Sequence, residues 1–192
     1  MKLSGSYQIN LEKQKVWEAL NDPEILRKSI PGCEEFKKDS ETEFTATATN
    51  KIGPFNASFT GNIEIKEINA PHSYIIEGSG NSPVGFASGQ ANVKLEDFEG
   101  GTKLIYEVEA NVGGKIAQVG SRLIDMTAKK MADIFFGKFS ELVIEINIPR
   151  ETQEKSLNLK IQNKTKSNIF NKKNFIYVSA GSIFLIILYF LI

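Results

Sequence analysis

The most constraining feature of this sequence is a long run of apolar residues at helical spacing over residues 115–146. The apolar side chains recur at steps of three and four residues, which places them on one stripe of a helix. This stripe comprises Ile116, Val119, Leu123, Ile124, Met131, Ile134, Phe135, Phe139, Leu142, Val143 and Ile146. A helix with one wide apolar face needs a broad apolar surface to cover it. We therefore predict one long helix packed on a sheet built from the preceding chain.

Most of the chain before this helix alternates apolar and polar residues with the period of two that is typical of strands. Seven segments show this alternation, at residues 3–9, 33–38, 42–51, 55–68, 73–80, 85–96 and 103–112. Two short helices are predicted between the first two strands, one with Asn10 as its N-cap and one with Pro23 in its first turn. This order predicts an α+β fold of the helix-grip type, in which a curved antiparallel sheet surrounds one long C-terminal helix.

Charge is distributed unevenly along the 192 residues, although 23 basic and 23 acidic side chains balance overall. Residues 1–149 carry 16 Lys and Arg against 21 Asp and Glu, whereas residues 150–174 carry seven against two. An acidic domain argues against nucleic-acid binding, which requires the opposite sign. The single cysteine, Cys33, permits no internal disulfide, which fits a reducing compartment.

The C-terminal residues 175–192 contain no charged residue and twelve Ile, Leu, Phe or Val. As a helix, this run is about 27 Å long, enough to cross a hydrocarbon core with little to spare. The lysines that precede it place the soluble domain in the cytoplasm by the positive-inside rule. We predict a domain at 1–149, a basic polar linker at 150–174 and a single-pass transmembrane anchor at 175–192, which makes the lipid bilayer of the cell membrane a partner.

Strand parity predicts which residues of the sheet face the long helix. The inward set is Phe44, Ala46, Ala48, Phe55, Ala57, Phe59, Gly61, Ile63, Tyr74, Ile76, Gly78, Gly89, Ala91, Val93, Leu104, Tyr106, Val108 and Ala110. Ala and Gly are common in this set. Small residues opposite a bulky helix either leave an apolar cavity for a ligand or let the helix approach the sheet closely. The cavity, if formed, is lined by the large side chains Phe44, Phe55, Phe59, Tyr74, Tyr106, Val119, Leu123 and Phe135.

Residues with catalytic potential are few and scattered. His72 follows a proline in a predicted turn, and the acids next to Cys33 raise the pKa of its thiol rather than activate it. No spacing of Cys and His suits a metal, and no phosphate-binding loop is present. Arg122 and Asp125 are spaced to form an ion pair on the helix; alternatively, Arg122 anchors a polar ligand head group. We predict no catalytic residues, no metal ligands and no enzymatic activity.

Two segments of the sequence resemble the CoxG family, named for the CoxG subunit of carbon monoxide dehydrogenase, within the START-like, polyketide-cyclase-like (SRPBCC) superfamily. The first, at residues 16–34, reads VWEALNDPEIL and continues to IPGCE. The second, at residues 114–124, reads GKIAQVGSRLI, and Phe135, Phe136 and Phe139 follow it. The resemblance extends over roughly residues 1–146, and the polar linker with an apolar tail is similar to the layout of the family.

This resemblance implies a non-catalytic accessory protein of a molybdenum hydroxylase such as carbon monoxide dehydrogenase. It implies a quinone or lipid bound in the grip cavity, no covalently bound cofactor, and a tether that holds the enzyme subunits at the membrane. It also implies that Ile116, Val119 and Leu123 line the pocket. Two alternatives stay open, namely a ligand-free assembly or tethering factor and a cyclase- or hydrolase-type enzyme of the same superfamily.

Overall fold

The structure, a computed structural model, describes residues 1–147, so the predicted linker and anchor lie outside the described residues. The helices are α1 Lys13–Ala19, α2 Pro23–Ser29, a 3₁₀ helix Lys115–Val119 and α3 Ser121–Asn147. The strands are β1 Lys2–Ile9, β2 Cys33–Lys38, β3 Glu43–Ile52, β4 Phe55–Asn69, β5 Ser73–Ser82, β6 Gly85–Phe98 and β7 Gly101–Gly114. Within residues 1–147, no helix has the length and apolar character that crossing a membrane requires.

All seven strands form one antiparallel sheet in the order β1-β7-β6-β5-β4-β3-β2. Strands β2 to β7 follow one another through successive hairpins, and β1 pairs with β7 so that Lys2 faces Glu109 and Ile9 faces Thr102. The predicted antiparallel sheet with one long C-terminal helix is confirmed, and the fold is of the helix-grip type.

One face of the sheet is buried against α3, as the period-two pattern predicts. In β4 the buried positions are Ala57, Phe59, Gly61, Ile63 and Ile65, and the residues between them are exposed. The predicted inward set is buried except for three residues that are half-buried, namely Phe55, Gly78 and Gly89. One side of an antiparallel sheet is packed on the core and the other faces solvent, so the alternation of apolar and polar residues identifies the inner face.

The predicted single helix over residues 115–146 is wrong at its start. A 3₁₀ helix covers the first five residues, and Gly120, with φ +89°, separates it from α3. Only glycine adopts such a backbone conformation without strain, so the helix is interrupted here.

The buried face of α3 also differs from the predicted stripe. It comprises Ile124, Ala128, Ala132, Phe135, Phe136, Phe139 and Val143. Leu123 is 36% exposed and Ile146 is 62% exposed, although both belong to the predicted stripe. The helix faces the sheet with Ile124 and the small residues Ala128 and Ala132. Leu123 precedes Ile124 and therefore points about 100° away from it around the helix, toward solvent.

Two short helices follow β1, of which α1 contacts β6 and β7 and α2 contacts β2 and α3. The N-cap of α1 is Glu12, not Asn10 as predicted, because a turn follows β1 before the helix begins. Pro23 opens α2 as predicted, and the Asp22 side chain caps this helix by accepting a hydrogen bond from the backbone N–H of Glu24 at 2.8 Å.

Candidate functional site

The candidate site is the interior between the sheet and α3, where most of the predicted ligand-lining residues meet. Six of them belong to one continuous hydrophobic core, namely Phe44, Phe59, Tyr74, Tyr106, Ile116 and Phe135. Phe55 and Val119 are half-buried, and Leu123 lies at the surface. The structure therefore brings together the strand aromatics and Phe135, and it leaves the Val119–Leu123 region at the rim.

The rim is formed where the β3–β4 turn meets the start of α3. A Cβ built on Gly53 would lie 3.1 Å from Cδ2 of Leu123 and 3.4 Å from Cγ1 of Val119. On the neighbouring β5–β6 hairpin, the carbonyl oxygen of Val84 accepts a hydrogen bond from the backbone N–H of Ile116 at 3.0 Å. Two hairpins and the 3₁₀ helix thus enclose the interior at this end of the sheet.

Tyr74 is the polar group that distinguishes this interior. Its hydroxyl is fully buried and has no hydrogen-bond partner among residues 1–147. Its ring meets Trp17 of α1 edge-on, with 5.1 Å between the centroids. Burial holds the pKa of the Tyr74 hydroxyl well above its usual value, so the group stays protonated and remains a hydrogen-bond donor. A buried donor without an acceptor costs about 1–3 kcal/mol, which a bound acceptor would recover.

An aromatic cluster on the other side of the interior joins β1 and β7 to α3. The Phe136 ring stacks on Tyr7 at 4.1 Å and on Tyr106 at 5.7 Å between centroids. The Tyr7 hydroxyl donates a hydrogen bond to the Asp133 carboxylate. Desolvation and this hydrogen bond raise the pKa of Tyr7, and burial raises that of Tyr106.

Sequence reasoning missed Tyr7, Trp17 and Phe136 as parts of the site. Tyr7 had a usable signal, because it shares strand parity with Leu3 and Gly5 on β1. Trp17 and Phe136 accompanied the two family segments, but nothing there marked them as site residues, and the neighbouring Phe135 already occupied the predicted stripe.

The reactive side chains remain apart from this interior. His72 is exposed in the β4–β5 turn, and burial raises the pKa of the Cys33 thiol to about 11. The predicted ion pair between Arg122 and Asp125 does not form within 4.0 Å in the described part of the chain. Residues 1–147 also hold no group of three or more His, Cys, Asp or Glu placed to bind a metal ion.

A concave space of about 1020 Å³ lies on the outer face of the sheet, away from α3. Side chains with hydroxyl, amide and carboxylate groups line it, among them Glu43, Thr45, Asn62, Glu64, Glu77, Ser79, Ser88, Gln90, Glu109 and Asn111. Its polarity suits contact with another protein surface better than the binding of an apolar ligand.

Solved structures share this fold. A conserved protein from Geobacillus kaustophilus is 28% identical with a TM-score of 0.72, and the match covers 76% of this chain and 96% of that one. TTHA0849 from Thermus thermophilus is 10% identical, with a TM-score of 0.58 and coverage of 77% and 99%. Ms6760 from Mycobacterium smegmatis is 17% identical, with a TM-score of 0.55 and coverage of 73% and 89%. The last two show the fold alone.

No curated protein matches the sequence significantly. The family comparison is decisive, because the family model for CoxG, a subunit of carbon monoxide dehydrogenase, matches residues 5–144. That match contains both sequence segments that carry the resemblance, strands β2 to β7 and most of β1. The chain belongs to the CoxG family of carbon monoxide dehydrogenase subunits.

Proposed function

We propose that this protein is a membrane-anchored, non-catalytic accessory of a molybdenum hydroxylase of the carbon monoxide dehydrogenase type. In this proposal it binds a quinone or a lipid between the sheet and α3, without a covalent cofactor, and recruits the enzyme subunits to the membrane. The accessory role follows from the CoxG family, whose name is that of a carbon monoxide dehydrogenase subunit.

The observation that carries the ligand part of the proposal is the Tyr74 hydroxyl. An interior formed by apolar and aromatic side chains favours an apolar molecule, and one buried donor favours a single acceptor oxygen on it. A quinone carbonyl and a lipid ester both supply such an oxygen. The large predicted residues Phe44, Phe59, Tyr106 and Phe135 would then contact the apolar part of the ligand.

The anchoring part of the proposal comes from the sequence. Residues 175–192 are assigned to a single membrane span, and the basic residues of 150–174 are assigned to the cytoplasmic side. An unfolded chain of about 25 residues spans on average roughly 25–30 Å, so a linker that behaved in this way would keep the domain near the bilayer from which an apolar ligand is drawn.

Ligand extraction tests the carrier function. Full-length protein purified from membranes should release a quinone or lipid that mass spectrometry identifies. Tyr74→Phe should lower its occupancy about tenfold, the effect of losing one hydrogen bond of about 1.4 kcal/mol. Thr47→Val is the control, because it removes a hydroxyl on the outer face of the sheet and should leave occupancy unchanged. Wild-type protein that carries no such molecule would contradict the carrier function.

A second candidate function is a tether without a ligand, which the polar space on the outer face of the sheet favours as a docking site for a hydroxylase subunit. Deletion of residues 175–192 separates the two functions. A pure tether loses recruitment of its partner to the membrane. A carrier loses electron transfer to quinone even where the partner remains at the membrane.

A further inference from the structure

One end of the domain combines exposed apolar side chains with unpaired basic ones. This hairpin end consists of residues 51–55, 83–86 and 115–126, from the β3–β4 turn, the β5–β6 turn and the 3₁₀ helix with the first turn of α3. Met126 is 61% exposed and Leu123 is 36% exposed, and Val119 beside them is half-buried. Exposed apolar surface of this kind marks a contact site when it is contiguous.

Val119, Leu123 and Met126 are contiguous. Leu123 and Val119 both lie against the Gly53 turn, as the distances given above show. Met126 is three residues beyond Leu123 on α3 and is therefore its neighbour on the helix surface. Phe86, which is 50% exposed, belongs to the same end and covers Gly113, where a Cβ would lie 2.5 Å from Cε1 of the ring.

Five cations lie on the same segments or in the next turn of α3, and they are free of ion pairs within the described residues. They are Lys51, Lys115, Arg122, Lys129 and Lys130, all exposed. Elsewhere in residues 1–147, basic side chains are mostly paired with carboxylates, as are Lys2, Lys13, Lys15, Arg27, Lys37, Lys38, Lys66 and Lys94. The hairpin end is thus the basic pole of a domain whose net charge is negative.

The residues that define this end include a single carboxylate, that of Asp125, which is exposed. The stretches 44–63, 78–95 and 110–124, which supply both hairpins and the start of α3, contain no Asp or Glu. Arg122, Lys129 and Lys130 all lie three or four residues from Met126, so three positive charges flank one exposed apolar side chain. Apolar residues framed by free cations suit the interface of a membrane with anionic lipid.

We propose that the hairpin end docks on the surface of a bilayer that contains anionic phospholipid. Leu123 and Met126 enter the boundary between head groups and acyl chains, and the five cations contact lipid phosphates. Docking in this orientation presents the Val119–Leu123 rim of the interior to the lipid. The inference rests on the proposed function, in which the tail holds the domain beside the membrane.

Site-specific quenching tests the orientation. Full-length protein with Cys33→Ser and Met126→Cys, labelled with a fluorophore and reconstituted in vesicles, is compared with a Glu41→Cys protein. Glu41 lies in the β2–β3 turn at the other end of β3, roughly 30 Å away along the strand, and its side chain is 97% exposed. Spin-labelled lipid should quench position 126 at least threefold more than position 41 when the vesicles contain phosphatidylglycerol.

Variants that lack positive charges test the contribution of the cations to docking. A triple variant removes three of the cations, with Arg122→Gln, Lys129→Gln and Lys130→Gln. Each cation contributes roughly a factor of five to the ratio of docked to undocked protein, so this ratio should fall about a hundredfold. Quenching at position 126 should then fall to the level seen at position 41. The control changes the same net charge at paired lysines, with Lys2→Gln, Lys66→Gln and Lys94→Gln, and should retain quenching.

Three results would overturn the proposal. The first is equal quenching of the fluorophore at positions 126 and 41. The second is quenching at position 126 that persists in the triple variant of α3. The third is a fluorophore at position 126 that a soluble protein shields and that lipid does not. Protein that stays with the vesicles yet shows no quenching at 126 would refute the orientation and leave the anchor intact. Failure of the full-length protein to associate with vesicles at all would refute both.

Discussion

Gly5 of β1 lies opposite Tyr106 of β7, and the Tyr106 ring occupies the space that a side chain at position 5 would need. A Cβ built on Gly5 would lie 2.7 Å from Cζ of that ring. The same ring continues to α3, where it stacks on Phe136. The absence of a side chain on one strand therefore makes room for an aromatic contact between the sheet and the helix.

Gly5→Ala should lower the free energy of unfolding by about 1–3 kcal/mol, because the Tyr106 ring must shift out of its contact with Phe136. Denaturant unfolding of the full-length protein measures this. In a Tyr106→Leu background the ring is gone, so the additional cost of Gly5→Ala should nearly disappear. An equal cost in both backgrounds would show that the ring is not the cause.

Gly120 and Gly137 both have open space where a side chain would lie, since a Cβ at either position would meet no atom within 4 Å. A substitution by alanine therefore tests the backbone conformation at each position. Gly120 has φ +89°, so Gly120→Ala should destabilise the protein by about 1–2 kcal/mol. Gly137 is an exposed residue within α3, and Gly137→Ala should stabilise it by about 0.5–1 kcal/mol. Shifts of the same sign in urea unfolding would contradict this assignment.

Two tyrosine hydroxyls should respond to removal with opposite signs. Tyr7→Phe loses the hydrogen bond to Asp133 and should cost about 1 kcal/mol of unfolding free energy. Tyr74→Phe removes a buried hydroxyl that has no partner among residues 1–147, so ligand-free protein should gain about 1 kcal/mol. Unfolding of both variants after delipidation measures this, and a loss at Tyr74 equal to that at Tyr7 would contradict it.

Cys33 should react slowly with alkylating reagents at neutral pH. Burial raises the pKa of its thiol to about 11, against about 8.5 for a free thiol, so little thiolate is present at pH 8. The rate of reaction with iodoacetamide should rise about tenfold per pH unit from pH 8 to 10 and level off only near the raised pKa. Urea-unfolded protein is the control and should level off near pH 8.5–9; the same plateau in the folded protein would contradict the prediction.

The same shift links Cys33 to stability. The neutral thiol is the form that the folded protein favours, so this contribution to stability is fully present below the pKa of the unfolded thiol. It is lost as the pH rises from about 8.5 toward 11. Cys33→Ser should remove that part of the alkaline decline in the unfolding midpoint. A decline that is unchanged in the variant would assign it to other groups.

The sequence by itself determined the inner face of the sheet and the family. Period-two alternation is imposed wherever one side of a strand is buried, so Ala57, Phe59 and Ile63 were predictable without knowledge of their partners. The two family segments are local strings that need no long-range information. Most of the predicted ligand-lining residues follow from this parity, and six of the nine are buried in the core.

Only the tertiary structure decided which side of α3 faces the sheet and where the chain breaks before it. By hydrophobicity alone, Leu123 would be expected to be buried in preference to Ala128, but Ala128 is the residue that faces the sheet. Burial depends on how closely the helix and the sheet pack and not on the transfer free energy of one residue. The unpaired Tyr74 hydroxyl and the unpaired cations around Met126 are likewise products of long-range placement. Whether a polar group finds a partner depends on residues distant in sequence, which no local pattern specifies.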